Sequence, residues 1–448
     1  FILATKILSF LDKNIAPMIS NPEALYQETK GLEREIYSFE SPRLNAEIRD
    51  KEFVIEQMIF RINSKGLISY RMISNEGQII EGRIKDEYWN DMQIIDLYSD
   101  IFSDKEKREY EFSLTDFGKI LYLFLPYTIR TILKKFEIKS LELIPEIYFI
   151  LDQMTIPFEL VYDTNFFLLK YSIGYIIGEP PLGGISFGKL EDSSQEDDEK
   201  KKYNVIIIDC MNSKGPLRWN EKKKGKELIF PFTAGKSELE FITDFFTNQN
   251  QVNSINILSE TKSTRENILE SISQEIYQII HIVGNIFYSK WNPSNSFLLT
   301  NSNEIVRISD INDAIKLNPH NIKPLIFVNS QLFDVIGGKL KNVVRIFGDI
   351  AEQFDYEEIT GIVSHNYPIF DEETQEFTKN FYNHIFMNYG QGISLLKARQ
   401  ICMANKMAEL AQKKALELTA EDGTITIDLE SSLAISSYSL YGKPWKKV

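Results

Sequence analysis

Cysteine is almost missing from this chain. Its 448 residues hold two, Cys210 and Cys402, too few and too far apart for a disulfide framework. A reducing, cytoplasmic setting is therefore the expectation. Histidine is scarce too, and His320, His365 and His384 form no metal spacing with either cysteine. Gly183-Gly184 and Gly337-Gly338 make neither a G-x-G-x-x-G nor a Walker pattern, so no cofactor is expected. The longest uncharged apolar run, Ile120 to Ile129, falls well short of the roughly 20 residues that span a bilayer. Phe1-Ile2-Leu3 is followed by Lys6 and has no signal-peptide pattern, so no membrane role is expected. A start on Phe rather than Met leaves room for a region upstream. Positive charge is also in deficit: 50 Lys and Arg against 64 Asp and Glu give a net charge of -14, which argues against nucleic acid as the main partner.

What is present is an ordinary globular composition, 43% hydrophobic and 25% charged, long enough for two domains or one domain in two layered halves. Residues 1–50 carry two short helical patterns around Pro17 and Pro22 and are read as an N-terminal helical segment. From Phe53 to Ile84, three β-branched and aromatic runs are separated by Ser64-Lys65-Gly66 and Asn75-Glu76-Gly77, the signature of an antiparallel meander. Asp86 to Phe102 reads as a helix, and Ser113-Leu114-Thr115-Asp116 opens a long one. Glu191 to Lys202 combines six acids and three lysines with no apolar residue, so 191–202 is read as an exposed linker or loop. It separates an α+β half, 51–190, from a second half, 203–448.

In that second half, strand-like and helix-like patterns alternate. Val205 to Cys210, Val252 to Leu258, Tyr277 to His281, Pro324 to Val328 and Ile359 to Val363 are apolar runs of strand length. Between them lie helical patterns at Ser237 to Phe246, Ile268 to Ile276, Ile308 to Leu317 and Val343 to Phe354. Two more follow, around Phe377 to Ile385 and from Ser394 to Leu418. Ser263-Thr264-Arg265-Glu266 has capping-box spacing for the second of these helices. Such alternation means βαβ units and a mainly parallel sheet. Arg218, Lys222, Lys223, Lys224 and Lys226 make a basic loop after the first strand, most simply a solvated one.

Two strands end in small polar clusters: Ile279-Ile280-His281-Ile282-Val283-Gly284-Asn285 and Leu325-Ile326-Phe327-Val328-Asn329-Ser330-Gln331. Open α/β sheets place their sites at such carboxyl ends. These ends resemble the catalytic strands of the CHAT family, caspase-like cysteine peptidases related to separase, which close on H-x-x-G-H and N-A-C. Further stretches are similar to the family in the same order: Ile156-Pro157-Phe158-Glu159-Leu160-Val161-Tyr162-Asp163 with Phe158 in place of Trp, Gly361 to Glu372, Tyr382 with Ser394-Leu395 and Ala398-Arg399, and Tyr438 to Trp445. The resemblance implies a caspase-like three-layer α/β sandwich with a mainly parallel sheet, preceded by the α+β half with its meander.

It also implies that Asn285 stands at the position of the general base and Gln331 at that of the nucleophile. An asparagine amide cannot take a proton near neutral pH and a glutamine amide is not a nucleophile, so this dyad cannot run peptidase chemistry. His281, Gly284, Asn329, Ser330, Asp209 and Cys210 are the expected neighbours of the vestigial site. The reading is a pseudopeptidase that scaffolds or regulates by binding a protein partner, such as an active peptidase or a component of a complex. Two alternatives stay open: a working cysteine peptidase with a relocated nucleophile, Cys210 paired with His281, or one completed by a partner; and a ligand-sensing domain.

Overall fold

The computed structural model describes residues 55–62, 67–74, 79–85, 118–119, 121–122, 125, 130, 133, 144–152, 157–178, 202–211, 217–220, 225–228, 233–289, 292–334, 348–365, 373–417 and 438–448. The N-terminal segment, the 86–102 helix and the acidic stretch up to residue 201 lie outside the described residues.

The expected meander is present as β1 (Ile55–Ile62), β2 (Leu67–Ser74) and β3 (Ile79–Lys85), paired antiparallel in sequence order. β4 (Glu146–Leu151) joins β1 in parallel, and after the short helix α1 (Phe167–Lys170), β5 (Ser172–Ile177) joins β4. The second half follows with β6 (Tyr203–Cys210), a separate hairpin of β7 (Leu217–Asn220) and β8 (Gly225–Leu228), α2 (Thr233–Thr247), β9 (Val252–Leu258) and α3 (Arg265–Gln274). Then come β10 (Ile279–Tyr288), the short strands β11 (Phe297–Leu299) and β12 (Ile305–Arg307), α4 (Ile308–Lys316), β13 (Leu325–Asp334) and β14 (Gly361–His365). α5 (Glu373–Phe386), α6 (Gln391–Glu417) and β15 (Tyr438–Gly442) complete the order.

β9, β6, β10, β13, β14 and β15 lie side by side in that order, all parallel except β15. β-branched runs such as Val205-Ile206-Ile207-Ile208 suit strands covered on both faces. Ile207, Phe327 and Val363 on one face, and Ile206, Ile280, Ile326 and Ile362 on the other, are all buried. α2 and α5 cover the first face: Phe246 and Phe386 stack around Tyr382, which reaches Phe327 of the sheet. On the second face Ile272 of α3 and Ile315 of α4 line one small cavity with Ile280. The chain is thus a three-layer α/β sandwich with a mainly parallel sheet, the fold class expected from the sequence. Through Tyr441 and Tyr175, β15 also pairs with β5, so one 13-stranded sheet runs through both halves.

A buried polar knot fastens that junction. Glu159 accepts hydrogen bonds from Tyr175 and, at 2.6 Å, from the Ser439 hydroxyl, and it faces the Arg399 guanidinium. Arg399, wholly buried, donates to the Tyr438 carbonyl. Three stretches far apart in sequence thereby meet around one buried carboxyl. Beside it, Phe158 stacks on Phe149 with ring centroids 3.9 Å apart.

Two local readings are corrected. The cap of α3 is Thr264, whose hydroxyl accepts the Asn267 N–H, not Ser263. Ser263 instead donates to the Asp209 carbonyl at 2.5 Å, a buried tertiary bond that removes it from the cap. Arg218 and Lys226 lie in the β7–β8 hairpin rather than in a loop; four-residue strands are too short for alternation to mark them.

Candidate functional site

β10 and β13 run parallel and in register from Ile279↔Leu325 to Tyr288↔Asp334, with no bulge between them. Asn285 and Gln331 are therefore direct cross-strand neighbours. Below them the same rows pair Gly284 with Ser330, Val283 with Asn329, and His281 with Phe327. β6 continues these rows: Cys210 beside Gly284, Asp209 beside Val283, Ile207 beside His281.

The pleat sorts these residues between the two faces. Positions 281, 285, 329, 331 and 209 fall on the face of α2 and α5, whereas 284, 330 and 210 fall on the other. Cys210 and His281 are consequently on opposite faces of the sheet, and the relocated pair is not assembled. The Cys210 thiol is wholly buried, and burial together with the neighbouring Asp209 carboxylate pushes it up to about 12. A thiol held that high carries almost no thiolate at neutral pH.

Glycine at 284 has a packing reason. A Cβ there would lie 2.6 Å from the Cys210 carbonyl oxygen and 2.7 Å from its Cβ. Neighbouring parallel strands leave no room for backbone to retreat, so β6 and β10 meet closely only at a residue without a side chain.

Asp209 is fully engaged: its carboxylate accepts the Met211 N–H and the Asn301 amide, each at 2.9 Å. Burial raises its pKa, and the nearby Glu260 adds to that. On the other flank the Ser330 N–H donates to His365 Nε2 at 3.0 Å, which places the proton of this neutral ring on Nδ1. His365 thereby fixes the backbone of β13 one residue before Gln331.

His281 lies in the core. Its Nδ1 is 2.9 Å from the Tyr382 hydroxyl, its ring stacks on Phe327, and Nε2 is 3.8 Å from the Glu238 carboxylate. Burial pulls its pKa down to about 3, so it stays a neutral structural ring. Glu238 of α2 is also wholly buried, and burial lifts its pKa to about 7.

Glu238, Tyr382, Thr378 and His365 were not among the residues expected at the site. One of them left a trace in the sequence. Glu238 falls in line with Ile242, Phe245 and Phe246 at helical spacing, so a carboxylate interrupts the apolar stripe of α2. Among the described residues no group of three or more His, Cys, Asp or Glu is arranged to hold a metal ion. No helix among them is long and apolar enough to cross a membrane.

No family model matches the sequence, and no curated protein matches it. Among solved structures, the fold overlaps that of the Saccharomyces cerevisiae separase-securin complex with a TM-score of 0.41 and 8% sequence identity. The match covers 88% of this chain and 30% of the other, so this chain spans under a third of that protein's length. At that score the overlap carries no information about a reaction or a partner.

Proposed function

We propose that the chain is a pseudopeptidase of the CHAT type, which keeps a caspase-like sheet edge and acts by binding a segment of a protein partner without cutting it. The observation that carries this reading is the register pairing of Asn285 with Gln331, three residues before the carboxyl ends of β10 and β13 and so inside the paired strands rather than at their ends as the sequence suggests. The two positions that the motif resemblance assigns to base and nucleophile are nearest neighbours on adjacent parallel strands, and both hold amides. Amides donate and accept hydrogen bonds but supply neither a thiolate nor a proton acceptor near neutral pH. The other candidates for that chemistry are occupied elsewhere. Cys210 is buried on the opposite face, and His281 is buried in the core with its pKa far below neutral.

The test has two arms. Incubation with denatured casein and a mixed peptide library should give no cleavage; turnover abolished by thiol alkylation would refute the reading. Selection from a displayed peptide library should return binders whose affinity falls at least about tenfold in Gln331→Trp, a bulky change at the edge. Binders indifferent to that change, or no binders at all, would count equally against it.

A further inference from the structure

Beneath the Asn285–Gln331 edge, on the same face, lies a group of buried polar atoms that the binding reading does not use. Glu238, Asn329, Thr378 and His281 are each at most 2% exposed. Both carboxyl oxygens of Glu238, both amide atoms of Asn329, the Thr378 hydroxyl and His281 Nε2 lack a hydrogen bond. The carboxyl faces Asn329 of β13 and Thr378 of α5, which ease its charge without closing into hydrogen-bond geometry. Around it stand His281 of β10, Tyr382 of α5 and Tyr438 of β15, none of them cationic. β9 carries no ionisable residue; on α5 Lys379 is exposed, as are Glu240 and Asp244 on α2 itself. Among the described residues no lysine or arginine offsets Glu238. A buried carboxylate with no cation, facing only the neutral Asn329 amide and Thr378 hydroxyl, is costly in a protein interior, whereas a protonated carboxyl is tolerated.

We infer that Glu238 is a proton-loaded clamp: protonated, it lets α2 seat against the sheet below the remnant site, and ionised, it loosens that helix. The sign follows from linkage. Glu238 moves from the ordinary 4.5 up to about 7 on folding, so its contribution is fully present below 4.5 and lost as pH rises to about 7. His281 moves from 6.5 down to about 3, so its contribution is present above 6.5 and lost as pH falls. Between 4.5 and 6.5 the two slopes cancel, because folded and unfolded chains each hold one proton in this pair.

Glu238→Gln removes one slope and keeps the shape. The unfolding equilibrium of the full chain, measured in urea for wild type and variant from pH 4.5 to 8.5, reads the difference directly. Groups common to both proteins, including Glu159 and Asp209, drop out. The ratio of variant to wild-type folding constants should rise about tenfold per pH unit up to about pH 7 and level off above it. Amide exchange in α2, relative to α6, should speed up through neutrality in wild type alone. A ratio independent of pH, or α2 exchange that follows the same pH course in both proteins, overturns the inference. Infrared titration of wild type gives a readout without that variant. A protonated-carboxyl band should disappear near pH 7, and absence of such a band also overturns the inference.

Discussion

Arg399→Met tests the junction of the two halves. The substitution replaces a wholly buried guanidinium by an unbranched apolar chain and leaves Glu159, 1% exposed, without its cation. Breaking a buried pair from one side costs about 3–5 kcal/mol, because the remaining charge stays desolvated. Two features limit the loss. Tyr175 and Ser439 still donate to the carboxylate, and Glu159, already raised by burial, can take up a proton. Arg399 holds the Glu159 pKa down, so its removal raises the folded pKa further, and Arg399→Met should be milder at pH 5, where a protonated Glu159 needs no cation, than at pH 8. Between the folded pKa of wild type and that of the variant the cost grows by about 1.4 kcal/mol per pH unit. Urea midpoints followed by both tryptophan fluorescence and far-UV circular dichroism check the magnitude and the all-or-none transition. Glu159→Gln with Arg399→Met should recover at least about 2 kcal/mol relative to the sum of the single variants. Additive single variants, or an Arg399→Met cost below about 1 kcal/mol at pH 8, would refute the claim that this pair joins the three sequence stretches.

Gly284→Ala should cost about 1–3 kcal/mol through its clash with the Cys210 backbone, read as a lowered melting temperature; an unchanged midpoint would mean that β6 and β10 separate freely. Native Cys210 should resist thiol-reactive electrophiles that label it after unfolding, and native labelling at Cys210 would contradict its burial. Thr264→Ala should lose about 1 kcal/mol of cap energy, with helix fraying visible by amide exchange at Asn267, whereas Ser263→Ala should leave that amide protected. In the double variant Asn285→His with Gln331→Cys, the new thiol should alkylate about tenfold faster at pH 7 than in Gln331→Cys alone, because adjacent register places imidazole beside it. Equal rates would dissociate these positions.

Periodicity alone makes the sheet of the second half readable. Val205-Ile206-Ile207-Ile208 and Leu325-Ile326-Phe327-Val328 are too apolar to lie anywhere but in a doubly covered strand. The glycine turns at 64–66 and 75–77 likewise announced the meander. Three-residue strands such as β11 and β12 are shorter than any window in which alternation is visible, and they were missed. The α3 cap slipped by one residue because Ser263 and Thr264 offer the same hydroxyl, and only the tertiary claim of the Asp209 carbonyl on Ser263 decides between them. At the site, the two amide positions were legible because the motif resemblance marks one position in each strand, whereas their register pairing was not. Face parity between Cys210 and His281 was not, because it depends on how β6 aligns with β10, and two strand sequences do not state their mutual offset.

That parity bears on which side chains this part of the sheet can bring together. A cysteine on β6 next to Gly284 looks close to the site along the strands, yet it cannot be recruited by small motions, because the pleat would have to invert. Restoring a thiol near the edge therefore requires substitution on β13 itself. The amides at 285 and 331, by contrast, survive any change that keeps β10 and β13 paired. The interior below is under a stricter constraint. Glu238 stays buried without a cation, a state that packing alone would disfavour against an apolar residue of similar volume. If its only role were to fill the interior, Glu238→Met would be neutral or stabilising at every pH. If the proton it holds governs how firmly α2 sits under the edge, the same change should tighten α2 chiefly above neutral pH and alter peptide affinity at the edge in the same pH range. Amide exchange and binding measured together at pH 6 and pH 8 separate the two cases.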